Sequence, residues 1–159
     1  GSLYSINLIN YKINWVLNKE LAIGPAPLKE SHFDKLRENN IKAILNLCTE
    51  EEAPINDNVK QHFNHRRYTL ADHKVNKKIL VTEIEEIISI IEILKQKGPL
   101  FVHCQAARER SPIICMAWLV SKHKLSPQRA LDYLMEVNPR TNPLPSQLKL
   151  LHSLNKKSK

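Results

Sequence analysis

Leu100-Phe101-Val102-His103-Cys104-Gln105-Ala106-Ala107-Arg108-Glu109-Arg110-Ser111 is the stretch whose reading decides the fold. Apolar residues at strand length run into a polar loop. The chain then enters Ser111-Pro112, where proline is tolerated in the first turn of a helix. A buried strand, a short loop and a helix start point successive backbone N–H groups and a helix N-terminus at one spot. Such a spot binds a dianion and favours the ionised form of a thiol. A free thiol titrates near ~8.5 and is only a few per cent thiolate at neutral pH, whereas thiols in such settings reach roughly 3.5–7.5. Cys104 is therefore placed as a nucleophile. Arg110 follows one loop-length later, with a planar fork that can hold two phosphate oxygens. Ser111 can donate a hydrogen bond to the sulfur when it must leave. A single cysteine after an apolar strand is ordinarily an inert core thiol, and an isolated arginine a solvated charge. The joint pattern, His-Cys, five residues, Arg-Ser, arises by chance in roughly one sequence in a few thousand of this length and composition.

Outward from that loop, Gly98-Pro99 closes a long amphipathic helix predicted over Lys77 to Lys97. Its residues Leu80, Ile84, Ile87, Ile88, Ile91 and Leu94 share one face. Ile41 to Leu47 reads as a buried strand. Asn14 to Ile23 reads as two short strands meeting near Asn18-Lys19 and closed by Gly24-Pro25. A helix is expected from Ser31, with Ser31 as its cap and Asp34 reaching back. Glu50 to Asn58 is polar and loop-like, and His65 to Leu70 is a weaker strand. Downstream, Ser126-Pro127 opens a helix to about Val137, and Gln147 to Leu154 forms a last one. This alternation predicts an α/β fold: a central, mostly parallel sheet of four to five strands with helices on both faces.

At 159 residues the chain suits one domain, with Gly1-Ser2 as an expression remnant and 155–159 as a basic tail. With 42% hydrophobic and 25% charged residues, disorder is excluded as the main state. The longest apolar runs are too short to cross a bilayer. Three cysteines without a secretory leader exclude a disulfide-stapled secreted scaffold and predict a cytoplasmic protein. A formal charge of +8 favours an anionic partner. Arg66-Arg67 and the basic tail read as solvated charge that steers such partners. Seven histidines are present, but none has metal-ligand spacing with the cysteines, so no metal or other cofactor is expected. His103 is read as orienting the loop through a hydrogen bond.

An alkoxide or phenolate leaving group needs a proton as its P–O bond breaks, and a carboxylic acid can supply it. Of the four aspartates, Asp34 and Asp132 lie on predicted helices, and Asp57 has no strand to anchor it. Asp72 follows a candidate strand over Tyr68 to Ala71. In a parallel sheet that strand end shares an edge with the loop after Val102.

The loop sequence resembles the signature of the cysteine-dependent protein phosphatases, particularly their dual-specificity branch. Glu20 to Gly24 and Asn40 to Leu47 resemble that family's early strands. Pro139-Arg140 through Pro145-Ser146-Gln147-Leu148 resembles its C-terminal segment. The resemblance implies a dual-specificity phosphatase-like fold and hydrolysis of phosphomonoesters through a cysteinyl-phosphate. It implies Cys104 as nucleophile, Asp72 as general acid, about thirty residues before the cysteine as in the family, and Arg110 with the loop residues Gln105, Ala106, Ala107, Arg108 and Glu109 around the phosphate. The expected partner is a phosphoprotein. The alternatives are an RNA 5′ end, an inositol phosphate, and phosphate binding with little turnover. The family usually has Gly where Ala107 stands. If that position has φ > 0, Ala costs ~1 kcal/mol or more; with negative φ the change is harmless. Glu109 should point out of the loop, and Arg108 is a candidate for a second acidic group on the substrate. Asp72-His73 and Asn46-Leu47-Cys48 resemble the tensin-homologue branch, which implies His73 as a supporting residue and Cys48 as a redox partner of Cys104. A solvated histidine and a buried core thiol are the plain alternatives. Cys115 reads as core, and Arg140 with Asn142 as a brace for the loop.

Overall fold

The computed structural model describes residues 11–72, 74 and 77–157. Its centre is a five-stranded sheet of β1 (Asn14–Leu17), β2 (Leu21–Gly24), β3 (Ala43–Asn46), β4 (Asn64–Arg67) and β5 (Leu100–His103), in the order β1-β2-β5-β3-β4. Only the β1–β2 pair is antiparallel; β2, β5, β3 and β4 run parallel. The β1–β2 turn passes through Lys19 in the left-handed region (φ 62°).

The three inner strands are buried throughout, and alternate residues supply two different cores. Leu21, Ile23, Ala43, Leu45, Leu100 and Val102 face the larger one. It is completed by α3 (Val81–Lys95), α4 (Arg110–His123), α5 (Pro127–Val137) and α6 (Pro145–Lys157). Ala22, Ile44 and Phe101 face a smaller core with Phe33 and Leu36 of α1 (Glu30–Glu38) and Val59 of α2 (Asp57–His62). Helices therefore cover both faces, as the alternation predicted. No helix among the described residues is long and apolar enough to cross a membrane.

Several boundaries differ from the sequence reading, each for a local reason. The long helix starts at Val81 because Leu80 is the cap, its N–H bonded by the Glu83 side chain (3.0 Å). Ser31 is inside α1, whose N-cap is Lys29; Asp34 pairs instead with Arg37 one turn on. The polar stretch from Glu50 leads into an unforeseen helix, α2, where the Asn56 side chain caps the Val59 N–H at 3.1 Å. The fourth strand is Asn64–Arg67 rather than 65–70 or 68–71. The chain still runs alongside β3, because Tyr68 N–H bonds Asn46 C=O (2.9 Å) and Leu70 N–H bonds Leu47 C=O (3.0 Å).

Candidate active site

Parallel pairing brings the carboxyl ends of β2, β5 and β3 to one edge: Gly24 and Asn46 both lie opposite His103. The 104–109 loop leaves from that edge and enters α4 at Arg110. Cys104 is 3% exposed, and its Sγ lies 3.2 Å from the Ser111 Oγ. His103 is fully buried, and burial lowers its pKa to about 4. Its ring is therefore neutral, and its Nδ1, 2.9 Å from the Cys104 C=O, must carry the proton it donates there. This is the orienting hydrogen bond expected of it.

Arg110 is buried, and its donors can be accounted for one by one. The Nη1–Nη2 edge grips Glu52 with two bonds, to Oε1 (3.1 Å) and Oε2 (2.7 Å). Nη1 is also shared by the C=O groups of Leu47 (3.3 Å) and Leu70 (3.2 Å). The Nε–H and the second Nη2 hydrogen have no acceptor among the described residues. Those two lie on one side of the guanidinium and form a second fork for two oxygens. The hydrogen bonds from Arg110 hold the Glu52 carboxyl at about 2, well below the usual carboxylate range. A Cys104 thiolate lies near enough for its charge to favour the protonated guanidinium.

Asp72 is half-buried and lines the same cavity as Arg110, Glu52 and Thr49, a space of about 390 Å³. Its Oδ1 accepts the N–H of Lys74 (2.5 Å). The structure thus brings Cys104, Ser111, Arg110 and Asp72 to one end of the sheet. His73 lies outside the described residues.

Ala107 adopts φ 57°, the left-handed conformation that favours glycine. Its carbonyl accepts from the Nδ2 of Asn138 at 2.9 Å. Asn138 is 1% exposed; it also donates to Thr141 Oγ1 (2.9 Å) and accepts from Asn14 Nδ2 (3.0 Å). The chain after α5 secures the rest of the loop. Asn142 N–H bonds the Arg108 C=O (2.7 Å), and Gln147 Nε2 bonds Glu109 Oε1 (2.8 Å). The brace expected of Arg140 with Asn142 is therefore made by Asn138, the Asn142 backbone and Gln147, while Arg140 is exposed. Glu109, expected to point out of the loop, is half-buried and accepts from the buried Gln147. Gln105 is exposed, and its C=O accepts from Ala26 N–H (3.1 Å). Arg108 is exposed and Ala106 is half-buried.

Cys48, two residues past β3, is fully buried, its thiol pushed up to about 12 by burial, and close enough to Cys104 for their charges to interact. Cys115 is core, its thiol also raised by burial. All three cysteines are free. Sequence reasoning missed Glu52 and Asn138. The question that finds Glu52 is what neutralises a buried Arg110; the three successive glutamates Glu50 to Glu52, two to four residues past Cys48, were the available signal.

Fold and site together define a cysteine-dependent phosphatase domain. The chain belongs to the dual-specificity phosphatase family: the profile described as "Dual specificity phosphatase, catalytic domain" matches residues 26–157. Human dual specificity protein phosphatase 5 is 33% identical over 63 residues, covering 39% of this chain and 16% of that protein. Mouse dual specificity protein phosphatase 2 is 27% identical over 107 residues, covering 67% of this chain and 32% of that protein. The chain thus spans less than a third of either relative. Human phosphatidylglycerophosphatase and protein-tyrosine phosphatase 1 is 20% identical over 144 residues, covering 88% of this chain and 72% of that protein. Among solved structures, PTPMT1 in complex with PI(5)P superposes with a TM-score of 0.79 at 19% identity, covering 92% of this chain and 96% of that one. The human tyrosine phosphatase-like serine/threonine/tyrosine-interacting protein superposes with a TM-score of 0.79 at 22% identity, covering 91% and 96%.

Proposed function

We propose that this domain hydrolyses phosphomonoesters of the kind carried by phosphotyrosine, phosphoserine and phosphothreonine, by way of a cysteinyl-phosphate. The observation that carries this reading is the geometry of Arg110, which Glu52 grips by its Nη1–Nη2 edge so that its Nε–Nη2 edge is presented as a donor fork, near a cysteine whose sulfur lies 3.2 Å from Ser111 Oγ. Cys104 attacks phosphorus and the S–P bond forms. The equatorial oxygens sit in the Arg110 fork and on the loop amides. As the P–O bond of the ester breaks, Asp72 gives its proton to the departing oxygen. Asp72 then takes a proton from water, which attacks phosphorus and expels the Cys104 thiolate. Ser111 Oγ donates to that sulfur as it leaves. His103 holds the Cys104 carbonyl, so the loop starts from a fixed point.

Charge is supplied by the guanidinium and the main-chain dipoles, so the proposed chemistry calls on no metal or cofactor. Three free thiols suit a reducing compartment, and a cytoplasmic setting is part of the proposal. The exposed Arg108 and the net positive charge support an anionic substrate, a phosphoprotein first. The experiment is phosphate release from phosphopeptides, with chelator present, by wild type, Cys104→Ser and Asp72→Ala. Cys104→Ser should abolish release. Asp72→Ala should slow it about 100-fold or more, most for poor leaving groups. An undiminished Cys104→Ser rate would overturn the scheme.

A further inference from the structure

The segment from Cys48 to Ala53, which carries Glu52, is closed on itself. Glu52 N–H donates to Thr49 Oγ1 (3.1 Å), Thr49 N–H donates back to Glu52 Oε1 (3.0 Å), and Ala53 N–H donates to the Thr49 C=O (3.1 Å). These reciprocal bonds make the turn one body, and the carboxyl that grips Arg110 moves with it.

Two side chains fasten that body to the sheet, and they come from register partners: Asn46 at the end of β3 and Arg67 at the end of β4. Asn46 is buried; its Oδ1 accepts the Cys48 N–H (2.9 Å) and its Nδ2 donates to the Ala53 C=O (3.3 Å). Arg67, its side chain 19% exposed, donates from Nη1 to the Cys48 C=O (2.7 Å) and from Nη2 to the Ala53 C=O (2.8 Å). Each side chain thus holds both ends of the turn. Nη2 of Arg67 also pairs with Glu50 Oε2 (2.6 Å), inside the turn. The sequence reading treated Arg66 and Arg67 alike as solvated charge. The structure separates them: Arg66 is exposed, whereas Arg67 directs its donors into the turn.

One planar fork on two carbonyls five residues apart leaves the turn little freedom to tilt. Without Arg67, the donors left among the described residues are Asn46 Nδ2 for the Ala53 C=O, at 3.3 Å, and Thr69 Oγ1 for the Cys48 C=O, at 3.1 Å. We propose that Arg67 is a positioning residue for the reaction. It acts through the turn, setting the angle at which Glu52 presents the Arg110 fork to a phosphate. This rests on the phosphatase reading above and adds to it the residue that governs how the phosphate is gripped. Small displacements matter there, because a bidentate grip on an oxyanion weakens steeply once the fork turns out of plane.

The test is a double-mutant cycle on an aryl phosphate, with kcat/KM expressed per folded molecule by circular dichroism. Its members are wild type, Arg67→Met, Glu52→Gln and the double variant, with Arg66→Met as the control for charge. Arg67→Met should lower kcat/KM by about tenfold, and Arg66→Met should stay within about twofold of wild type. In the Glu52→Gln background the same Arg67 change should cost less than about twofold, because the route by which it acts is already cut. Losses that multiply in the double variant overturn the proposal, since Arg67 would then act by another route. So does a variant that melts earlier but keeps full kcat/KM per folded molecule, which is what a purely structural role gives. Should Arg67→Met fail to fold, Arg67→Lys takes its place in the cycle. It keeps the charge but not the planar fork, and a loss of about threefold is expected of it. Should wild type fail on the aryl phosphate, the phosphatase reading fails instead. Calorimetric binding of tungstate, an oxyanion of phosphate's shape, then decides Arg67 by itself: affinity should fall about fivefold in Arg67→Met, and an unchanged affinity overturns the proposal.

Discussion

Replacing Glu52 by Gln tests how the site is held together. The substitution keeps shape and one acceptor oxygen but removes the charge opposite Arg110, whose side chain is 4% exposed. Leaving one member of a buried ion pair alone is far more costly than the pair is stabilising. The Glu52 carboxyl titrates at about 2 rather than 4.5. Fully transmitted, that difference is worth about 3 kcal/mol; Glu52 is 20% exposed, and solvent screening brings its share to about 2 kcal/mol. With the desolvated guanidinium added, the expected loss at pH 7 is about 2–4 kcal/mol, a fall in Tm of roughly 5–12 °C for a domain of this size. The sign follows from a depressed carboxylate: the contribution is complete above about pH 4.5 and disappears as pH falls through about 2. Urea unfolding of wild type and Glu52→Gln between pH 7 and pH 2.5 measures it. The two stabilities should converge in acid. The kcat/KM of the variant should be about 10- to 100-fold lower, because the guanidinium loses one of the two carboxylate oxygens that grip it and the charge that holds it. A loss below about 0.5 kcal/mol, or one that does not change with pH, would refute the reasoning.

Asn138→Ala removes three side-chain hydrogen bonds and strips the left-handed Ala107 carbonyl of its donor, so a cost of about 2–3 kcal/mol is expected in denaturant titration. Asn138→Asp, which keeps the acceptor for Asn14 but not the donor to Ala107, should lower kcat more than it raises KM; equal activity would remove the bracing role. Peroxide followed by peptide mapping should give a Cys48–Cys104 disulfide. Peroxide first oxidises the Cys104 thiolate to a sulfenic acid, and the Cys48 thiol then displaces water from that sulfur. Recovery of sulfinic Cys104 beside an unmodified Cys48 would refute the pairing.

The core of the site was legible because its chemistry and its local structure coincide in one run of residues. Leu100 to Val102 is apolar at strand length, and Pro112 marks the first turns of α4. The same argument of a shared sheet edge put Asp72 beside Arg110 although β4 ends earlier than expected. The extended chain past Arg67 preserves that edge through two backbone bonds to β3. Helix α2 was not legible, since six residues with Val59 as their one buried side chain carry no period. Glu52 was hidden inside a run of glutamates, which ordinarily means a solvated face. Asn138, just before Pro139, has the sequence of a turn. Its role exists only because the chain after α5 folds back over the 104–109 loop, a long-range contact that no local pattern encodes.

The covalent intermediate on Cys104 is the step on which the proposed mechanism depends most directly. Asp72→Ala, mixed with a fast-leaving aryl phosphate and quenched in acid within milliseconds, should yield a peptide carrying one phosphoryl group on Cys104 by mass spectrometry. Phosphate released with no such adduct, or an adduct on any other residue, would contradict it.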